Sequence, residues 1–203
     1  MKREVLVEMA KRALVVIDVQ KVYTDPESET YAPDSAGTIK RINDLINLFK
    51  AKKLPIVYVR HAHKSDGSDA GRLFDFAGEE EEVGFIEGTD DVEFDNRLIV
   101  ERSAPIITKN RYSAFKNTKL HAILKRMGVE RVVICGFMTN FCCESTAREA
   151  LDLDYFVDFV VDATGTPGTD GMRENQVRKV VAELLGAGFA RVYQAKQYLK
   201  LDD

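Results

Sequence analysis

The 203-residue sequence has no tryptophan and only three cysteines, three histidines and five prolines. Two of the cysteines, Cys142 and Cys143, are neighbours, and so small a set excludes a disulfide framework as the basis of the fold. Reduced thiols in a cytoplasmic compartment are the expectation. No apolar stretch approaches the roughly 18 residues that cross a membrane. Acidic residues follow Met1-Lys2-Arg3-Glu4 and no signal-peptide pattern is present. An excess of basic charge is also missing: 29 Lys and Arg face 33 Asp and Glu, with the cations scattered. That balance gives no reason to expect nucleic acid or an anionic membrane as a partner. Low-complexity segments and internal repeats are absent too.

What remains is the composition of a soluble globular protein, long enough to form one domain over residues 1–203 with a full α/β core. Ala13 to Gln20 is a continuous apolar run interrupted by Asp18, and such continuity predicts a parallel strand covered on both faces. Tyr23 to Ser35 reads as a loop. A helical face of Ile39, Ile42, Leu45, Ile46 and Phe49 predicts a helix from about Thr38 to Lys53. Pro55 opens a second strand, Ile56–Val59, which completes a right-handed βαβ unit. Glu79 to Glu82 reads as a solvated loop or helix start. The segment from Ser65 to Arg102 has no readable period, although Gly88-Thr89-Asp90-Asp91 marks a turn.

Further on, Pro105–Lys109 predicts a short strand, and Thr118 caps a helix that Gly128 stops. Arg131–Cys135 predicts a buried strand, followed by a helix from about Cys142 to Leu153. Phe156–Asp162 is a strand, residues 162–168 a loop, Met172–Leu185 an amphipathic helix and Ala190–Tyr193 a last edge strand. The alternation specifies a three-layer α/β/α fold around a doubly wound, mostly parallel, Rossmann-like sheet.

Three polar groups fall just past carboxyl ends of these strands: Asp18, Lys109 and Cys142. In a doubly wound sheet those ends line one crevice. A thiol in a first helical turn there is expected to have a depressed pKa. The carboxylate can take its proton, and the thiolate can attack a carbonyl. Each group also has a plainer reading: Asp18 as a turn carboxylate, Lys109 as a rim ion pair, Cys142 as a small buried hydrophobe. His61 and His63 share one side of an extended segment, at a spacing that suits either a pocket wall or a divalent metal. Only Asp66 and Asp69 lie near enough in sequence to add a ligand, so no metal or other cofactor is expected. Arg60, His61, His63, Arg72 and Tyr112 are candidates to recognise a carboxylate or carbonyl.

Three blocks carry a resemblance: Val15-Val16-Ile17-Asp18-Val19-Gln20, then Lys109-Asn110-Arg111-Tyr112-Ser113-Ala114-Phe115, then Cys135-Gly136-Phe137-Met138-Thr139-Asn140-Phe141-Cys142. In this order they resemble the isochorismatase-like cysteine hydrolases, including nicotinamidases and N-carbamoylsarcosine amidases, over about Leu14 to Tyr193. The resemblance implies a triad of Asp18 as base and later acid, Lys109 as charge stabiliser and Cys142 as nucleophile. It selects Cys142 over Cys143 by register with Gly136 and Thr139, and places Phe137 and Thr139 at the substrate. It also implies a cis peptide between Phe137 and Met138, with the amides of Met138 and Cys142 directed at an oxyanion. The implied reaction is hydrolysis of a small amide or carbamoyl C–N bond through a thioester, and relatives often form dimers or tetramers. Two departures stand out. His61-Ala62-His63 occupies the place of the Asp-x-His metal pair of nicotinamidases, and Lys21-Val22-Tyr23 replaces an Asn-Asp-Phe type sequence.

Overall fold

The computed structural model describes residues 10–75 and 84–202. Strand β1 (Arg12–Ile17) is followed by a one-turn helix α1 (Lys21–Thr24) and the long helix α2 (Ser35–Ala51). Next come β2 (Ile56–His61), β3 (Ile106–Lys109), α3 (Leu120–Arg126) and β4 (Arg131–Phe137). A π-helical turn (Thr139–Cys143) leads into α4 (Glu144–Asp152). The chain closes with β5 (Phe156–Gly165), α5 (Glu174–Gly186), β6 (Arg191–Tyr193) and α6 (Ala195–Tyr198).

The six strands form one sheet in the order β3-β2-β1-β4-β5-β6, and every neighbouring pair is parallel. β1 is central, and its side chains divide two cores by simple alternation. Ala13, Val15 and Ile17 join one core with residues of α3, α4 and α5, while Leu14 and Val16 join the other with α2 and α6. The unbroken apolar run therefore reflects helices on both faces. The expected three-layer, doubly wound architecture is observed.

Boundaries shift where a neighbour overrides local pattern. α2 begins at Ser35, earlier than periodicity suggests, and β2 continues through Arg60 to His61 by pairing with Thr108 and Lys109 of β3. β5 extends to Gly165, absorbing part of the expected loop, because Thr164 and Gly165 pair with Gly136 and Phe137 beyond a bulge. The helix expected from Cys142 starts as an α-helix only at Glu144. Described residues of the segment without a period lie along the carboxyl edge of the sheet: Ile86 bridges His63, and Phe94 bridges Gln20. The acidic run Glu79–Glu82 lies outside the described residues.

One close approach fixes how β4 leaves the sheet. Gly136 has φ 128°, and a Cβ there would sit 1.9 Å from the carbonyl oxygen of Ile17. Only glycine lets the two strands come together at the point where both site-bearing loops begin. Gly136→Ala is expected to destabilise the fold by at least about 2 kcal/mol, read as a lowered midpoint of urea unfolding. A change within about 0.5 kcal/mol would show that this approach does not constrain the fold.

Candidate active site

Asp18 directly follows β1 with φ 49°, and its amide donates to the Val59 carbonyl at 2.9 Å. This left-handed conformation is uncommon outside glycine and favours short polar side chains. Lys109 ends β3, registered opposite His61 of β2. Cys142 lies in the π-helical turn after β4, whose Phe137–Met138 peptide is cis. Thr139 anchors that turn through a 2.8 Å hydroxyl contact with Thr164. Thr146 ties it to the loop after β3, donating to the Cys142 carbonyl at 2.6 Å and accepting from the Ala114 amide at 2.9 Å.

These supports bring the three polar groups together in a buried cluster. Lys109 Nζ lies 2.7 Å from Asp18 Oδ2, 3.2 Å from Cys142 Sγ and 3.0 Å from the Arg111 carbonyl. An ammonium has three protons to donate, so the three partners match its capacity. The Asp18 contact is close enough for an ion pair, yet neither of its carboxylate oxygens completes a well-aligned hydrogen bond among the described residues.

Burial pushes Asp18 above the ordinary carboxylate range, despite the opposing pull of Lys109. Burial works against charge on Lys109, but Asp18 and Cys142 outweigh it and hold the ammonium above its usual range. Burial drives the Cys142 thiol up to about 12, and the neighbouring Asp18 adds to the rise while Lys109 opposes it. The depressed thiol pKa expected from a helix start is therefore corrected. Cys142 precedes the α-helix and is 1% exposed, so desolvation outweighs the nearby positive charge. Asp18 and Cys142 thus share one buried cationic neighbour, the Lys109 ammonium.

The other candidates sort by placement. His61 and His63 are buried, with Nε2 atoms 2.9 Å apart, and His63 Nδ1 lies 3.3 Å from Asp69 Oδ1. Tyr112 is 36% exposed and its ring centroid is 5.1 Å from that of Phe141, itself 36% exposed, which makes an aromatic pair at the protein surface. Phe137 stacks on Tyr23 at 5.9 Å within the core opposite to that of Cys142. Arg72 does not join the cluster: its side chain is 91% exposed and pairs with Asp75. Arg60 likewise turns to Glu87 and Glu93.

Sequence reasoning missed three supporting residues. Gln20 is fully buried and brackets His61, accepting from its amide and donating to its carbonyl, both at 2.8 Å. Phe85 stacks on the His61 ring at 4.6 Å. Arg111 donates to the Asp69 carbonyl at 2.7 Å and occupies the space that a side chain on Gly71 would need. A buried glutamine ending an apolar strand was the one signal available.

Asp18, His61 and Cys142 each offer a possible metal-ligand atom within 4.8 Å of the others. Two of those groups already neighbour an ammonium, which a cation would have to displace. The Nε2 nitrogens of His61 and His63 face each other at 2.9 Å.

The sequence model of the Isochorismatase domain matches residues 12–195. The chain belongs to the isochorismatase family. It is 33% identical over 156 residues to Nicotinamidase 3 of Arabidopsis thaliana, covering 76% of this chain and 73% of that protein. Ureidoacrylate amidohydrolase RutB of Agrobacterium fabrum is 28% identical over 192 residues, covering 84% and 83%. The solved structure of a cysteine hydrolase from Pseudomonas syringae pv. phaseolicola 1448A superposes with a TM-score of 0.87 at 27% identity, covering 94% of this chain and 91% of that one. The protein is thus an isochorismatase-family hydrolase.

The geometry gives the same sign to two substitutions. Lys109→Met removes the charge that lowers the thiol pKa, and Asp18→Asn removes the carboxylate proposed to take the thiol proton, so each is expected to slow Cys142 alkylation at pH 8 by roughly tenfold, the effect of one pKa unit. Site-resolved mass spectrometry after iodoacetamide pulses reads both, and faster alkylation of Asp18→Asn would show that Asp18 acts on the thiol only as a like charge.

Proposed function

We propose that this hydrolase is a cysteine amidohydrolase that cleaves the C–N bond of a small amide or carbamoyl compound through a thioester on Cys142. The observation that carries the reading is one buried ammonium, Lys109 Nζ, lying 3.2 Å from the Cys142 sulfur and 2.7 Å from the Asp18 carboxylate. As Cys142 Sγ attacks the substrate carbonyl carbon, its proton passes to Asp18. The carbonyl π electrons move onto oxygen, where the Met138 and Cys142 amides serve as donors. When the tetrahedral intermediate collapses, the C–N bond breaks and Asp18 returns the proton to the departing nitrogen. Water then attacks the thioester, Asp18 takes its proton, and the acid leaves as the proton returns to sulfur. Lys109 remains charged throughout.

Two relatives support an amide as substrate by their names, one a nicotinamidase and one a ureidoacrylate amidohydrolase. The mutually bonded His61 and His63 favour a ureido or carbamoyl compound over nicotinamide, because they replace the nicotinamidase Asp-x-His pair. A reaction without a nucleophile would leave the placement of Cys142 beside Asp18 and Lys109 without a purpose.

The test is ammonia release from ureidoacrylate, N-carbamoyl amino acids and nicotinamide, with acid-quench mass spectrometry of the enzyme. Cys142→Ala is expected to lower turnover by roughly 10³-fold or more, as loss of a covalent nucleophile does. A quenched parent enzyme should carry the acyl mass on Cys142. Ammonia release that survives Cys142→Ala, or none from any of these amides, would overturn the reading.

A further inference from the structure

The histidine pair carries information that the triad does not use. Asp69 is held below the ordinary carboxylate range: burial opposes this, but hydrogen bonds from Asn110, the Lys64 amide and His63 prevail. An ionised carboxylate only accepts, so His63 Nδ1 carries a hydrogen toward Asp69 Oδ1. Burial lowers the pKa of both histidines, aided by Lys109 at His61 and only partly opposed by Asp69 at His63, so both rings are neutral. A neutral His63 protonated on Nδ1 has a bare Nε2. The 2.9 Å contact between the two Nε2 atoms then requires the hydrogen on His61. His61 Nδ1 is left as a bare lone pair, buried and without a hydrogen-bond partner among the described residues. Gln20 and Phe85 hold this ring in place. A His61 ring nitrogen, an Asp18 oxygen and Cys142 Sγ all lie within 4.8 Å of one another.

We propose that Asp69 and His63 act as positioning residues that fix the His61 tautomer, so that His61 Nδ1 accepts a hydrogen bond from a substrate N–H and selects for amides bearing such a donor. The inference rests on the amidohydrolase reading for its biological meaning but not for its geometry. A primary amide or ureido group brings N–H bonds to a site where His61 Nδ1 has no donor among the described residues. A carboxylate product brings none, so the same lone pair that attracts the amide repels the acid. This discrimination follows the general rule that an unpaired buried polar group rejects a ligand unable to satisfy it.

Two measurements test it without requiring turnover. Nitrogen-15 NMR of histidine-labelled protein is simple with only three histidines. His61 should show a protonated Nε2 and a bare Nδ1, His63 the reverse, and Asp69→Asn should mix the tautomers. A protonated His61 Nδ1 at neutral pH would overturn the proposal. In the second, Cys142 is alkylated with chloroacetamide and with N,N-dimethylchloroacetamide, which lacks N–H donors. The parent should favour chloroacetamide at least tenfold beyond the preference of free cysteine. His61→Phe should abolish the excess, and Asp69→Asn should reduce it. An unchanged ratio in both variants would also overturn the proposal. Tautomers and ratios as expected, with no ammonia released from any amide, would retain the relay and remove the amidohydrolase reading instead.

Discussion

A buried ammonium sets the terms for the carboxyl edge of this sheet. Lys109 Nζ is fully withdrawn from water, and a lone charge in such a place would be too costly to keep. Its pairing with Asp18, Cys142 and the Arg111 carbonyl repays desolvation only if all three stay in position. Local features that look unrelated serve that requirement. Asp18 adopts a left-handed backbone, Gly136 admits the Ile17 carbonyl, and Thr139 and Thr146 pin the π-helical turn from two sides.

Strand order explains why these groups meet at all. The chain leaves β1 toward β2 through α2 on one face, and leaves β4 toward β5 through α4 on the other. The connections diverge between β1 and β4, and a crevice opens where they part. Asp18 follows β1 and Cys142 follows β4, so carboxylate and thiol flank that switch point. β3 brings Lys109 from the sheet edge, and its register with His61 places the histidine pair beside it.

The fold was largely legible in the sequence because it is written in periods: continuous apolar strands, 3.6-residue helical faces, and glycines that stop them. The three candidate residues stood out for the same reason, since each terminates a readable strand or follows one closely. What escaped had no period. Gln20 and Phe85 act on His61 through contacts across long stretches of chain, and Phe85 lies in the segment that pattern could not assign. Arg72 looked as suitable as Arg111 by residue type, yet one is solvated and the other packs against Gly71. The thiol pKa was misjudged because a helix start is visible in sequence and the depth of burial is not.

A thiol held near 12 is compatible with nucleophilic chemistry once the proton is followed. Moving it from Cys142 sulfur to Asp18 leaves the net charge of the pocket unchanged and both atoms close to the same ammonium. No ion enters from water, so the desolvation that opposes ionisation of the isolated thiol applies far less to this internal exchange. The raised pKa of Asp18 makes the carboxylate a willing receiver, since a strongly acidic neighbour would not take a proton from sulfur. On the proposed mechanism, burial opposes ionisation of the isolated thiol without equally opposing transfer to Asp18. The lone pair left on His61 Nδ1 extends the same logic, because a site short of a hydrogen donor is completed by a molecule that supplies one.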